Sequence, residues 1–426
     1  MKVKAIIIAM GLAALASTSA FAADSYSVGE RASVAQFGNG NTAKVDQQAS
    51  SYDDVKVQQT ANGATATVTS TTGAFNKTDI KQNGAGNNSN LNATVTQDGA
   101  YAEQTRISQS GSNSTASVSQ TTSSFDNDSI NQNGSNSKAK ITQTGASSNI
   151  VNIDQGMNKA YGKINGGDAT VTQTSTIGNN VQISQDRGND KAVVNTNGGG
   201  FNKTTITQTG GGTDASVQQS SELADTVSIK QDGAEIANVS STNGGGNHTS
   251  IDQSGANLPN LVSVHQINAQ NETTNVVQSG VAFNKVYVDQ LYEANDHTTV
   301  IQNGSENTAS VAQRFGGYNT VNALQIGNNN NADLSQQAAV ESSLLSTQIG
   351  ELNSVSASQT GSREELTLVQ SGLGNIATAS QSGAGNVGLI AQAGLGNNAS
   401  LTQAGYGNSA AVTQVGVANK ATIAQH

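Results

Sequence analysis

Gln403-Ala404-Gly405-Tyr406-Gly407-Asn408-Ser409-Ala410-Ala411-Val412-Thr413-Gln414 reads as Q-x-G-x-x-N-x-A-x-V-x-Q, and Gln414 to Gln425 repeats it with Asn419, Ala421 and Ile423. Asn, Ala, Val and Gln fall on every second residue, the period of a β-strand and not that of a helix. Those four positions face one way. The residues between them, such as Ser409, Ala411 and Thr413, face the other way; across the chain they are mostly Ser, Thr, Asp, Lys or Asn, which suits water. The Q-x-G-x-x-N segment supplies Gly and Asn where a chain reverses through positive φ. The unit is therefore a strand followed by a turn.

Outward from this stretch the repeat continues without drift. Gln348, Gln359, Gln370, Gln381, Gln392, Gln403, Gln414 and Gln425 recur at a constant step of 11, with Asn375, Asn386, Asn397, Asn408 and Asn419 between them. The same pattern opens the repeat region at Gln36, Gly38, Asn41, Ala43, Val45 and Gln47. In the middle of the chain the step alternates: 12 from Gln97 to Gln109, 11 to Gln120, 12 to Gln132, 11 to Gln143 and 12 to Gln155. Gln302, Gln313, Gln325, Gln336 and Gln348 alternate likewise. Strict alternation means two strands joined by two unlike turns, so the true period is the sum of two steps.

Such a coil is an all-β, cross-β solenoid with two strands per rung. Rungs rise about 4.8 Å and the two sheets pack roughly 10 Å apart, so roughly 17–18 rungs would make a rod on the order of 80 to 85 Å long. Each inward Gln then stacks on the next, its amide both donating and accepting, and its own copies satisfy a buried polar group. Phe75, Phe125, Phe201 and Phe283 sit in longer turns and are expected to cover one edge of the core. Regularity breaks between Gln82 and Gln97 (a step of 15), between Gln155 and Gln173 (18, with Gly166-Gly167) and between Gln253 and Gln266 (13, with Pro259). A ladder glutamine is expected to be replaced by Ser70, Thr196 or Thr242. These are bulged turns and degenerate rungs within one repeat region, residues 32–426.

Composition agrees with a thin core. Of 426 residues 4% are aromatic and none is Trp, too few for a thick globular core. A single proline and 12% charged residues are equally unlike a disordered chain. The net charge of −10 argues against a nucleic-acid partner, and the absence of cysteine excludes disulfides and thiolate metal sites. At the N-terminus Lys2 and Lys4, the apolar run Ala5 to Ala16 and Ala20-Phe21-Ala22 form a secretory signal, residues 1–22. A short segment, residues 23–31, precedes the repeats. The apolar run is too short to span a bilayer, so no transmembrane segment is expected.

Residues placed for chemistry are not found. His248, His265, His297 and His426 have no companions at metal or triad spacing and read as surface positions. Asp126-Asn127-Asp128 starts like a calcium loop but continues with Ser129-Ile130-Asn131 and reads as a turn. Gly198 to Gly200 and Gly210 to Gly212 lack the Lys-Ser/Thr of a phosphate loop. The chain reads as a structural protein and not an enzyme, without cofactor or metal. Scattered Asp and Lys read as solvated gatekeepers on outward positions. An ice-binding solenoid would gather Thr94/Thr96, Thr170/Thr172 and Thr205/Thr207 on one flat face, but Arg106, Lys140, Asp154 and Asp252 interrupt equivalent places. A monomeric adhesin stalk would need a cap and a binding domain.

The Q-x-G-x-x-N-x-A-x-x-x-Q string, two strands per repeat, behind a secretory signal and in dozens of copies, resembles the curlin repeat of bacterial curli fibres. The resemblance covers most of residues 32–426. It implies a structural subunit secreted through the outer membrane of a Gram-negative bacterium, polymerised on the cell surface, and serving adhesion and biofilm matrix. It also implies partners: further copies of the chain, a nucleator subunit and an outer-membrane secretion apparatus. Two departures stand out. The place six positions before a Gln, usually Ser in the family, is often Asn here, as in Asn397 before Gln403 and Asn408 before Gln414. The family's longer Gly-rich leader is represented only by Ala23 to Arg31. The repeats run from close behind the signal to Gln425, so both end rungs are expected to be uncapped and to join head to tail into filaments.

Overall fold

A computed structural model describes residues 18–23, 28–84, 89–156, 166–186, 188–256 and 258–426. Lys2, Lys4 and the apolar run of the expected signal lie outside the described residues. The chain divides into two compact units, residues 1–212 and 213–426. Every described element is a β-strand, 16 of them in the first unit and 19 in the second, and each unit is a two-sheet β-solenoid of parallel strands.

In the first unit one sheet, here sheet I, contains Arg31–Phe37, Asp54–Thr60, Lys77–Gly84 and Gln104–Gly111 and continues to Lys203–Gln208. Sheet II contains Thr42–Gln48, Thr65–Thr71 and Asn92–Asp98 and continues to Lys191–Asn197. Successive strands in the chain alternate between the sheets, and strands one rung apart pair in register: Gln36, Gln59, Gln82 and Gln109 stand in one column. The second unit has two sheets of its own, labelled likewise, and the column Gln302, Gln325, Gln348, Gln370, Gln392 and Gln414 belongs to its sheet I. Gln313, Gln336, Gln359, Gln381, Gln403 and Gln425 belong to sheet II.

Alternate residues of each strand are buried, as in Thr42–Gln48, where Ala43, Val45 and Gln47 point inward. Small and large side chains are apportioned between the sheets: sheet II of the first unit repeats Ala43, Ala66, Ala93 and Ala116, whereas sheet I repeats the fully buried Ile80, Ile107, Ile130 and Ile153. A core one side chain deep on each face suits a chain poor in aromatics.

The structure revises four expectations. In the last rungs the strand does not stop at the ladder glutamine. Asn398–Tyr406 runs through Gly405, pairing Gly383 with Gly405 and Ala384 with Tyr406, and the reversal is confined to Gly407-Asn408. The four turn phenylalanines do not cover the core. Each has positive φ, 57–59°, which turns its side chain outward, and they are 44–67% exposed. The neighbours Asn76, Asp126, Asn202 and Asn284 are the buried residues. The missing glutamine between Gln219 and Gln266 is replaced by Ser241, not Thr242. The turn after Gln231 is one residue shorter there, and a one-residue slip moves a side chain to the other face. Lastly, Thr94/Thr96 and Thr170/Thr172 lie on sheet II, but Thr205/Thr207 lie on sheet I, so no single face gathers them.

Thr18–Ala23, which includes Ala20-Phe21-Ala22, forms a strand paired with Thr42–Gln48 from Thr18↔Thr42 to Ala23↔Gln47. Among the described residues no helix is long and apolar enough to cross a membrane.

Candidate functional site: the stacked ladders

The side chains that carry chemistry here are amides bonded to copies of themselves. In sheet I of the first unit Gln36 Nε2 donates to Gln59 Oε1 at 2.6 Å, and the chain of bonds runs through Gln82, Gln109, Gln132, Gln155 and Gln185 to Gln208. In the second unit it runs from Gln231 through Gln253, Gln278, Gln302, Gln325, Gln348, Gln370 and Gln392 to Gln414, every bond between 2.7 and 3.1 Å. Each amide donates toward the higher-numbered rung. Its second N–H crosses to sheet II, as from Gln325 to the Thr308 carbonyl at 2.9 Å and from Gln370 to the Ser354 carbonyl at 3.0 Å. Both donors and the carbonyl oxygen are satisfied in a dry interior, where an unpaired amide would cost about 1–3 kcal/mol.

Sheet II carries a second, interrupted ladder. Gln97, Gln120, Gln143 and Gln173 are bonded in series in the first unit. In the second unit the series is Gln266, Gln290, Gln313, Gln336, Gln359, Gln381, Gln403 and Gln425. Gln47 donates instead to Glu30. Where serine replaces glutamine an aspartate at the corner accepts from it: Ser70 donates to Asp53 at 2.5 Å and Ser241 to Asp225 at 3.1 Å.

The asparagines divide between the two corners of the rung. Asn41, Asn375, Asn397 and Asn419 stand at the corner entering sheet II, and Asn386 and Asn408 at the corner entering sheet I. At the first corner Asn397 donates both its backbone N–H and its Nδ2 to Asn375 Oδ1 at 3.1 Å, and Asn419 does the same to Asn397. Asn41 Oδ1 accepts from the Ala64 backbone. At the second corner Asn408 donates to Asn386, which donates to Glu364.

That second corner holds what the sequence reading missed: buried and half-buried carboxyls in the asparagine column. Glu30, Asp53, Glu103, Asp126, Glu272, Asp296 and Glu364 all lie six positions before a sheet I glutamine, the place of Asn in the repeat, and that register was the available signal. They keep the acceptor role of Asn: Glu103 Oε2 accepts from the Asp126 backbone at 2.9 Å and Asp126 Oδ1 from that of Asn149 at 2.7 Å. As carboxylates they cannot donate back, so consecutive ionised acids would confront one another. Asp128, expected in a turn, is an inward strand residue and fully buried. Burial, and then the Asp126 charge, push Glu103 up to about 8; burial, then Asp296, push Glu272 up to about 9. Glu293 rises to about 9 through burial and its neighbour Asp296. Solvated Asp and Lys on outward positions, such as Lys56 and Asp79, are thus only part of the charge.

The histidines His248, His265, His297 and His426 are all exposed. Among the described residues no group of three or more His, Cys, Asp and Glu is arranged to hold a metal ion.

In-register rungs, self-bonded amide ladders and two parallel sheets define a structural β-solenoid repeat protein. Residues 374–405 match the family model described as the curlin associated repeat, a match that supports the resemblance read from the sequence. That stretch contains Asn375, Gln381, Asn386, Gln392, Asn397 and Gln403, members of the ladders described above. No curated protein matches the chain.

Proposed function

We propose that this chain is a secreted structural subunit that stacks copy on copy into curli-like cross-β fibres supporting cell adhesion and a biofilm matrix. The observation that carries the reading is the self-complementarity of the rung. The bonds that hold one rung to the next join Gln to Gln, Asn to Asn and strand to strand in register, so the surface a rung presents is the surface that receives it. A rung of another copy offers the same backbone edge and ladder amides as a neighbouring rung of the same chain. Two unlike faces, one donating Gln amides and one accepting them, make the contact head to tail, and such contacts grow as filaments.

Secretion in this reading follows the signal of residues 1–22, and a nucleator subunit and an outer-membrane secretion apparatus are its partners by resemblance to the curlin repeat. The role is mechanical and not catalytic. Electron microscopy of the purified chain incubated at micromolar concentration, with amyloid-dye binding, is the test. Unbranched dye-positive fibres are expected; a chain that stays monomeric for days sinks the reading and leaves a monomeric stalk.

A further inference from the structure

The two outer faces of the second unit are unlike. Sheet II presents hydroxyls to water, with Ser354, Ser356 and Ser358 on one strand and Ser400 and Thr402 on another. Sheet I, from Thr320–Asn328 to Ser409–Val417, presents alkyl side chains among hydroxyls such as Thr347, Thr367 and Thr413, with Glu351 and Glu365 at strand ends. Leu345 and Leu389 stand 37% exposed at its centre, and Ile349 and Leu395 flank them at 44% and 45%. Sheet I of the first unit instead carries Lys56, Lys81, Arg106 and Asp154 outward. Between Leu366 and Gln425 the only Asp, Glu, Lys or Arg is Lys420. An exposed apolar patch of this extent marks an interaction surface.

We propose that this face of sheet I packs against the same face of a second copy, joining two filaments side by side. The proposal deepens the fibre reading and, for its filament form, rests on it. The occupant follows from three properties of the face. Its centre lacks charge, the exposed Glu351 and Glu365 lying at strand ends, so the middle of the face meets its copy without the cost of burying unpaired ions. It is ridged: outward columns repeat every ~4.8 Å, with Ala391 and Ala411 leaving recesses beside Leu389, and a sheet of the same period fits such ridges along its whole length. It is also large enough in a filament. The five strands from Thr320–Asn328 to Ser409–Val417 cover about 20 Å by 30 Å, about 600 Å² per copy, and each further copy along a filament adds as much. A standard stable interface takes about 800 Å² from each partner.

The experiment compares the full chain, the double variant Leu345→Lys/Leu389→Lys and a control, Ser356→Lys/Ser400→Lys, which places the same charge on the other outer face. All four sites are outward, and far-UV circular dichroism checks that each variant keeps its strands. Paired filaments, counted by electron microscopy, are expected to fall at least tenfold in the leucine variant, with single filaments elongating at the unsubstituted rate; the control keeps its pairs. Pairs that persist in the leucine variant, or are lost equally in the control, overturn the proposal. If no protein forms filaments the fibre reading fails by itself, and sedimentation decides the face. A dimer that the leucine variant converts to monomer upholds it, and a monomeric unsubstituted chain overturns it. Flotation of the chain with phosphatidylcholine vesicles in place of pairing would also overturn it, in favour of a lipid surface.

Discussion

The carbonyl oxygen of Gly372 lies 2.0 Å from the place a Cβ on Gly350 would occupy, at a φ of +117°. The relationship recurs rung after rung: Gly372 stands so to Gly394, and Gly394 to Gly416. The glycine of Q-x-G is therefore required by the approach of the next rung as much as by its own dihedral. It lets the strand bend while the Asn of the preceding rung reaches that same carbonyl, as Asn353 Nδ2 does to Gly372 at 3.0 Å.

Gly350→Ala is expected to destabilise the second unit by about 3 kcal/mol or more, the strain of positive φ plus a backbone collision. Gly374, also at positive φ but with nothing within 4 Å of its would-be Cβ, is the control, and Gly374→Ala should cost about 1 kcal/mol. Urea unfolding of the two variants measures the difference. Equal losses would mean that the close approach contributes nothing.

Gln325 accepts from Gln302 at 2.7 Å and donates to Gln348 at 2.8 Å and to the Thr308 carbonyl at 2.9 Å. Gln325→Leu keeps the bulk but strands three polar atoms, and a loss of about 2–4 kcal/mol is expected in spite of the added hydrophobicity. A neutral or stabilising result in the same unfolding assay would show that the amide ladder is dispensable.

Burial and neighbouring acids raise Glu103 to about 8 and Glu272 and Glu293 to about 9, above their values in an unfolded chain. The folded state therefore holds protons that the unfolded state releases. The stabilising effect is complete below about pH 4 and is lost as pH rises toward 9. Thermal unfolding between pH 4 and 9 should show stability falling over this window. Glu103→Gln and Glu272→Gln should flatten the fall; an unchanged slope would place its origin elsewhere.

Asn76 Nδ2 donates to the Ala100 carbonyl and its Oδ1 accepts from the Glu103 backbone, both at 3.1 Å. Phe75 beside it is exposed, stacked at 5.3 Å on Tyr52. Asn76→Ala is expected to cost about 2 kcal/mol and Phe75→Asn less than about 1 kcal/mol. The reverse order, read by the same unfolding measurement, would restore the phenylalanine to the core.

What the sequence determined by itself is the rung. A two-residue period assigns a strand, alternating steps of 11 and 12 assign two strands and two turns, and a recurring Gln among small apolar residues demands a partner that only its own copy provides. These are local properties of a chain that repeats. Glu103 and Asp126 are different: a full rung apart in the chain, they face each other only because rungs stack, and Asp126 by itself read as a turn residue. The turn phenylalanines face outward because positive φ aims them there, which hydrophobicity does not reveal. Ser241 replaces a ladder glutamine because one turn is a residue shorter. Leu345 and Leu389 become one apolar face only when alternate strands are gathered into a single sheet. Period decides the side of a strand on which a residue lies, but turn length and stacking decide its neighbours, and those the tertiary structure alone supplied.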